Sequence, residues 1–111
     1  MHVSGGNLIV PLEADVDHGQ LRALTGELLG ALARRAVGGV IVDASAVELL
    51  DSRDYRALTD LIRASEVAGV PAVLVGLRPG VAATLAELDL GQDRLATARS
   101  VAAAEARLGR R

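Results

Sequence analysis

Short apolar runs alternate along this chain with longer segments of helical periodicity, and this alternation constrains the fold more than any other feature. The runs NLIVPL, VIV and VPAVLVG are ended by glycine or acidic residues, a pattern typical of strands. Between them, leucines recur at spacings of three and four, as on the buried face of a helix. Strands that alternate with helices predict parallel βαβ units. The expected fold class is therefore α/β, a mostly parallel sheet of about four strands packed with about four helices.

The helix boundaries follow from capping residues, glycines and prolines. The first helix is expected to begin at Asp15 or Asp17 and to stop at Gly38, and a third to open at Pro79 and run through Leu88 to about Asp89. The second and fourth are expected over about 52–68 and 98–108, with a short edge strand over 95–97. In the second helix, the residues predicted to face inward are Tyr55, Leu58, Leu61, Ile62 and Val67.

The N-terminal segment MHVSGG is too short to predict a first strand with any force. We expect residues 1–6 to be loose and one sheet edge to be uncovered. An uncovered edge is a pairing site, which favours homo- or hetero-oligomerisation.

The composition limits the class of protein. A chain of 111 residues that is 50% hydrophobic fits one domain with a real core. It has no apolar run of about eighteen residues and no secretory signal pattern, so we expect a cytoplasmic protein without membrane contact. A net charge of −2 and a single aromatic residue, Tyr55, argue against nucleic-acid binding.

The sequence offers little for catalysis. A nucleophilic triad needs a histidine near the nucleophile, and the only histidines are His2 and His18. Neither lies at a spacing that would bring metal ligands onto one face of an element. Phosphate-loop and dinucleotide patterns are also missing, and cysteines are absent. We therefore predict no catalytic residues, no metal and no cofactor.

Carboxylates gather around the end of the second apolar run and the start of the second predicted helix. They are Asp43, Glu48, Asp51 and Asp54. In open α/β sheets, ligands and partners gather at the carboxyl ends of strands, so we expect the functional surface here.

Within this region, the segment LLDSRDY places Ser52 at the start of an amphipathic helix. On spacing alone the simplest interpretation is that Asp51 or Ser52 is an ordinary N-cap. The functional interpretation is that the hydroxyl is presented to other proteins.

The order of elements, with VIVDAS before ELLDS and then PAVLVGLRPGVAATLAELDL, resembles a STAS domain, the fold of bacterial anti-sigma factor antagonists. More narrowly it is similar to the serine-bearing scaffold antagonists of the stressosome, the RsbS type. The resemblance implies that a serine protein kinase of the switch or anti-sigma type phosphorylates Ser52, and that other STAS-domain proteins are partners. It also implies that Asp51 contributes to kinase recognition or to mimicry of charge. The expected partner-binding residues are Asp43, Glu48, Asp51, Arg53, Asp54 and Arg56.

Three functions remain open at this point. The chain is a phosphorylation-regulated binding module, a structural subunit of a STAS assembly in which Ser52 is only a cap, or a small-ligand sensor. The sensor would need a pocket lined by Asp43, Glu48 and Asp54.

Overall fold

The computed structural model describes residues 1–87 and 95–109 of the chain. In chain order the elements are β1 (His2–Ser4), β2 (Asn7–Pro11), α1 (His18–Arg34), β3 (Gly39–Asp43), α2 (Ser52–Val67), β4 (Ala72–Val75), α3 (Pro79–Glu87), β5 (Thr97–Ala98) and α4 (Val101–Gly109). In these two ranges, no helix combines the length and apolar character that crossing a bilayer requires.

The strands form a single sheet in the order β1-β2-β3-β4-β5. The strands β2 to β5 run parallel to one another, whereas β1 pairs antiparallel with β2. The predicted α/β class and mostly parallel sheet are confirmed, although the sheet has one strand more than expected.

The additional strand is β1, which corrects the expectation that residues 1–6 hold no strand. Ser4 pairs with Asn7, and the two residues between them, Gly5 and Gly6, have φ angles of 59° and 79°. Positive φ at both positions is characteristic of a type I′ hairpin turn, and glycine adopts it without a steric penalty. The hairpin covers the edge of β2, so β1 forms this edge of the sheet and β5 forms the other.

Alternate side chains of the sheet enter two separate apolar layers, because successive residues of a strand point to opposite faces. Leu8, Val10, Val40 and Val42 pack beneath α1 and α2, which lie on the same face. The opposite layer is smaller and lies beneath α4; its buried members are Ile9, Ile41, Val73, Val75, Ala104 and Leu108. The sheet is therefore covered on both faces, as a parallel sheet requires.

The four predicted helices are present, but α1 ends at Arg34 and not at Gly38, and α4 begins at Val101 and not at Ala98. The last strand lies at Thr97–Ala98 and not over 95–97.

The predicted inward face of α2 also differs at its end. Val67, which was expected to face inward, is 89% exposed. Ser65 takes the buried position instead, and its hydroxyl donates to the carbonyl of Val70 at 2.7 Å. Ser65 lies three and four residues after Ile62 and Leu61, whereas Val67 has rotated to the opposite side of the helix. Leu88 and Asp89, predicted to end the third helix, lie outside the described residues.

Candidate functional site

The first turn of α2 is closed by two aspartates that cap each other. Asp51 is the N-cap, and its Oδ1 accepts a hydrogen bond from the backbone N–H of Asp54 at 2.8 Å. In return, Asp54 Oδ2 accepts from the backbone N–H of Asp51 at 3.2 Å. The hydrogen bond from the Asp54 backbone lowers the pKa of Asp51 below its ordinary value, since it favours the charged carboxylate. Asp51 therefore holds the start of α2 in its ionised form.

Asp54 also joins α2 to α1. Its Oδ1 accepts from the backbone N–H of His18 at 2.9 Å and lies 3.2 Å from His18 Nδ1. The residue is only 9% exposed. Although Asp54 was expected on the partner-binding surface, its oxygens are directed to the starts of two helices, so its contacts are those of an internal joint.

Ser52 is the first residue of α2 and is exposed. The prediction that Asp51 or Ser52 caps the helix is confirmed for Asp51, so the hydroxyl of Ser52 is not needed for capping. Among the residues that the structure describes, its Oγ has no hydrogen-bond partner. An exposed hydroxyl with no structural role is free to react or to be bound.

The hydroxyl opens on a groove of about 300 Å³ between α1 and α2, here called the Ser52 groove. Its lining residues are His18, Arg22, Ser52, Arg53, Arg56, Ala57 and Asp60. The sequence analysis had placed Arg53 and Arg56 near Ser52 but had missed His18 and Arg22. Only the packing of α1 against α2 brings those two residues to the site.

The other two predicted carboxylates lie elsewhere on the loop between β3 and α2. Asp43 Oδ1 accepts from the backbone N–H of Ser45 at 3.0 Å and so fixes the turn that follows β3. Glu48 is exposed, and its backbone N–H donates to the carbonyl of Ala14 at 3.3 Å. Neither residue lines the Ser52 groove, and nor does Asp54, so this groove is not the pocket that the ligand-sensor interpretation requires.

One apolar residue of this loop is directed outward. Ala44, Val47 and Leu50 are buried and anchor the loop, whereas Leu49 is 70% exposed. Leu49 lies three residues before Ser52, and the sequence analysis did not single it out. Leu49 and Ser52 are therefore both exposed at the junction of this loop with α2.

Comparison with known proteins places these features in a family. The family model for the STAS domain matches residues 1–104. Among curated proteins, the RsbT co-antagonist protein RsbRB of Bacillus subtilis is 30% identical over 88 residues, which are 79% of this chain and 32% of that protein. The chain spans only about a third of the length of the curated relatives it matches, between 32% and 39%.

Solved structures agree with this assignment over a larger share of their chains. A serine-to-glutamate variant of RsbS from Moorella thermoacetica has a TM-score of 0.78 and 31% identity, covering 95% of this chain and 89% of that one. A chain from the molecular architecture of the stressosome, a signal integration and transduction hub, has a TM-score of 0.78 and 32% identity. That match covers 99% of this chain and 95% of the other.

Proposed function

This chain belongs to the STAS domain family, and on that basis we propose that it is a protein-binding module regulated by phosphorylation of Ser52. A serine kinase binds the surface around Ser52 and modifies it, and the modification changes which proteins the module holds. The module acts as an anti-sigma factor antagonist or as a component of a stressosome, and has no catalytic activity of its own. Its relatives are STAS proteins named as co-antagonist and stressosome components, which supports this assignment.

The observation that carries the proposal is the separation of roles between Asp51 and Ser52. Asp51 caps the helix, while the hydroxyl of Ser52 is exposed and has no partner among the described residues. A kinase can therefore reach the hydroxyl without breaking any hydrogen bond of the described fold.

The modification is an ordinary phosphoryl transfer from a nucleoside triphosphate. Ser52 Oγ forms a bond to the γ-phosphorus while the bond from that phosphorus to the β–γ bridging oxygen breaks. The nucleoside diphosphate leaves, and the hydroxyl proton passes to a base of the kinase or to solvent. The product carries about −1.5 to −2 charge and three acceptor oxygens at neutral pH.

The added charge alters the surface more than the fold. The dipole of α2 favours a negative group at its start by ~0.3–1 kcal/mol, while Asp51 opposes it by roughly 1 kcal/mol at exposed separations. These contributions nearly cancel. A partner that buries the same position would instead lose roughly 3–5 kcal/mol of binding free energy, because the charged phosphate would be left desolvated and unpaired.

The docking surface includes four exposed residues of this region, Glu48, Leu49, Ser52 and Arg53. Leu49 supplies an apolar contact, and the charged residues around it favour a partner surface of complementary charge. In this proposal Asp43, Asp51 and Asp54 hold the loop and the helix start in place, and Arg56 lies one turn further along α2.

An assembly role is a second candidate. The match to a stressosome chain extends over nearly the whole of both chains, which supports a subunit that is built into a larger STAS complex. The two roles are compatible, since an assembled subunit can also be phosphorylated.

The deciding experiment is intact mass spectrometry after incubation with ATP and a serine kinase encoded beside this gene. We expect a mass gain of one phosphoryl group on the parent protein and none on Ser52→Ala. Ser45→Ala, which removes an exposed serine from the same loop, should gain the same mass as the parent. A mass gain on Ser52→Ala would refute the proposal.

Binding provides the complementary measurement. Ser52→Ala should bind the kinase whether or not ATP is present, whereas the parent should be released after modification. Retention of the phosphorylated parent with undiminished affinity would contradict the regulatory part of the proposal.

A further inference from the structure

The arginines of the Ser52 groove have no assigned role in the fold. Arg22 comes from α1, and Arg53 and Arg56 come from α2. Within the described ranges, none of the three makes an ion pair or a side-chain hydrogen bond. Guanidinium groups that stabilise nothing in the resting fold are available to an anion that arrives later.

The joint between the two helices fixes where Arg22 lies. His18 is bound to Asp54 through its backbone N–H, which holds the first turn of α1 against the first turn of α2. Arg22 follows His18 by four residues, and Arg56 follows Ser52 by four residues. Residues four apart lie on the same side of a helix, so both arginines line the groove on which Ser52 opens.

The charges of the groove are unbalanced. Its lining contains three arginines and one carboxylate, that of Asp60, an excess of two positive charges. The carboxylates of Asp51 and Asp54 lie beside the groove and accept hydrogen bonds in the capping box and from His18. A phosphoserine carries about the opposite charge, −1.5 to −2, and its oxygens match the donor geometry of guanidinium groups.

We infer that Arg22 of α1, together with Arg56 of α2, binds the phosphate of phosphorylated Ser52 within the same molecule. The inference rests on the proposed function, in which a kinase phosphorylates Ser52, and it adds the residues that bind this phosphate. The bound phosphate links the two helices across the groove and occupies two arginines that are exposed in the unmodified protein. The modified surface therefore differs by the loss of two free cations as well as by the gain of an anion.

The test is ³¹P NMR titration of the full chain with phosphoserine incorporated at position 52 during synthesis. The second pKa of the phosphate, about 6 in the free residue, is measured in the folded protein and again in urea. Since Asp51 and Arg53 remain neighbours in both states, the difference reports the folded groove together with the dipole of α2. The arginine variants then separate the groove from the dipole. We expect the folded value to be lower by about 0.5 to 1, because nearby cations favour the dianion.

Two variants of α1 distinguish binding of the phosphate by Arg22 from a general effect of positive charge on the phosphate pKa. Arg22→Gln should abolish about half of the fall in the phosphate pKa. Arg34→Gln removes the same charge from the exposed last turn of the same helix, about 18 Å further along. This control should leave the fall unchanged, and circular dichroism checks that both variants fold.

A phosphate pKa in the folded protein at or above its value in urea overturns the inference. So does a fall that Arg22→Gln leaves intact, whatever Arg56→Gln does. Because the phosphoserine is installed without a kinase, such a result leaves the proposed function standing if the mass gain on Ser52 is observed. A missing mass gain together with a phosphate pKa sensitive to Arg22→Gln refutes the proposed function and retains the phosphate receptor.

Discussion

Two neighbouring residues divide the work at the start of α2. Asp51 satisfies a backbone N–H that helix geometry leaves unpaired, and Ser52 presents a hydroxyl that the fold does not use. The division matters because a serine that also capped the helix could not be modified without weakening it.

The first prediction compares these two residues in stability. Ser52→Ala should change the free energy of unfolding by less than about 0.5 kcal/mol, as is usual for an exposed residue without a partner. Asp51→Ala should cause a clearly larger loss, since it leaves the Asp54 N–H without its acceptor. Urea denaturation of both variants measures the difference. Equal losses of unfolding free energy in the two variants would indicate that Ser52 takes part in capping the helix.

The second prediction concerns pH. The pKa of Asp51 is lowered in the folded state, so its ionised form stabilises the fold above the ordinary pKa of the residue, and this contribution disappears as pH falls through the lowered value. Asp51→Asn keeps a capping side chain without the charge. The stability difference between parent and Asp51→Asn should therefore be constant near neutral pH and shrink below about pH 4. Urea denaturation at a series of pH values measures it; a difference that grows on acidification would contradict the assignment.

For single residues, the sequence predicted that Ser52 lies at the start of a helix, but it did not predict which residues surround Ser52. A serine after an aspartate at the start of an amphipathic segment locates a helix end from local pattern alone. Arg22 is thirty positions away, and its presence beside Ser52 depends on how two helices dock, which local pattern does not encode. The burial of Asp54 was missed for the same reason, because its partner is His18.

Among the elements, the contact between α1 and α2 depends on a buried carboxylate. Asp54 accepts from two backbone N–H groups that belong to different helix starts, those of His18 and Asp51. Each helix thus contributes a donor to a shared acceptor, which fixes their relative position more firmly than apolar packing alone.

The third prediction concerns variants that remove these hydrogen bonds of Asp54. Asp54→Ala should destabilise the protein by about 1 to 3 kcal/mol, because it leaves the partly buried N–H groups of His18 and Asp51 without their acceptor. Asp54→Asn should cost less, since its amide oxygen still accepts one hydrogen bond. Asp60→Ala, an exposed change on the same helix, is the control and should stay within about 0.5 kcal/mol. An Asp54→Ala loss as small as that of the control would show that the joint does not hold the helices.

The fourth prediction concerns Gly76, which follows β4. Its φ is +74°, and a Cβ there would lie 2.9 Å from the Cβ and 3.2 Å from the Cα of Ser45. Gly76→Ala should therefore cost about 2 kcal/mol through backbone strain and displacement of the loop that leads to Ser52. Gly26→Ala in exposed α1, where a Cβ meets nothing within 4 Å, should instead stabilise by ~0.5–1 kcal/mol. Thermal unfolding ranks the two variants, and a neutral Gly76→Ala would contradict the packing.

The elements also show where sequence patterns have limits. The strands β2, β3 and β4 were predicted because buried parallel strands form continuous apolar runs. The strand β1 was missed, although Gly5 and Gly6 between short runs carry a hairpin signal that could have revealed it. Val67 was assigned by its hydrophobicity, whereas the helical period alone would have selected Ser65.

In the whole molecule, the sheet separates the site from the smaller apolar layer. Ser52 and its groove lie beside α1 and α2, while α4 packs on the opposite face through Ala104 and Leu108. A charge added at Ser52 is therefore remote from the packing of that second face.

The fifth prediction follows from this arrangement. Ser52→Glu should keep the free energy of unfolding within about 1 kcal/mol of the parent, because dipole and carboxylate contributions are small and opposed. Equilibrium unfolding in urea, with a check that the m-value is unchanged, measures it. Loss of most of the stability would show that the charge acts by unfolding the domain.

The order of the strands has a consequence for synthesis. Each strand from β2 onward hydrogen-bonds to the strand that precedes it in the chain. A nascent chain leaving the ribosome can therefore add its strands to the sheet one after another, because no later strand has to insert between two earlier ones. The layer around Ile41 and Val73 receives its helical cover only when α4 emerges. During that interval one apolar side of the sheet is open to the chaperones that meet new polypeptides.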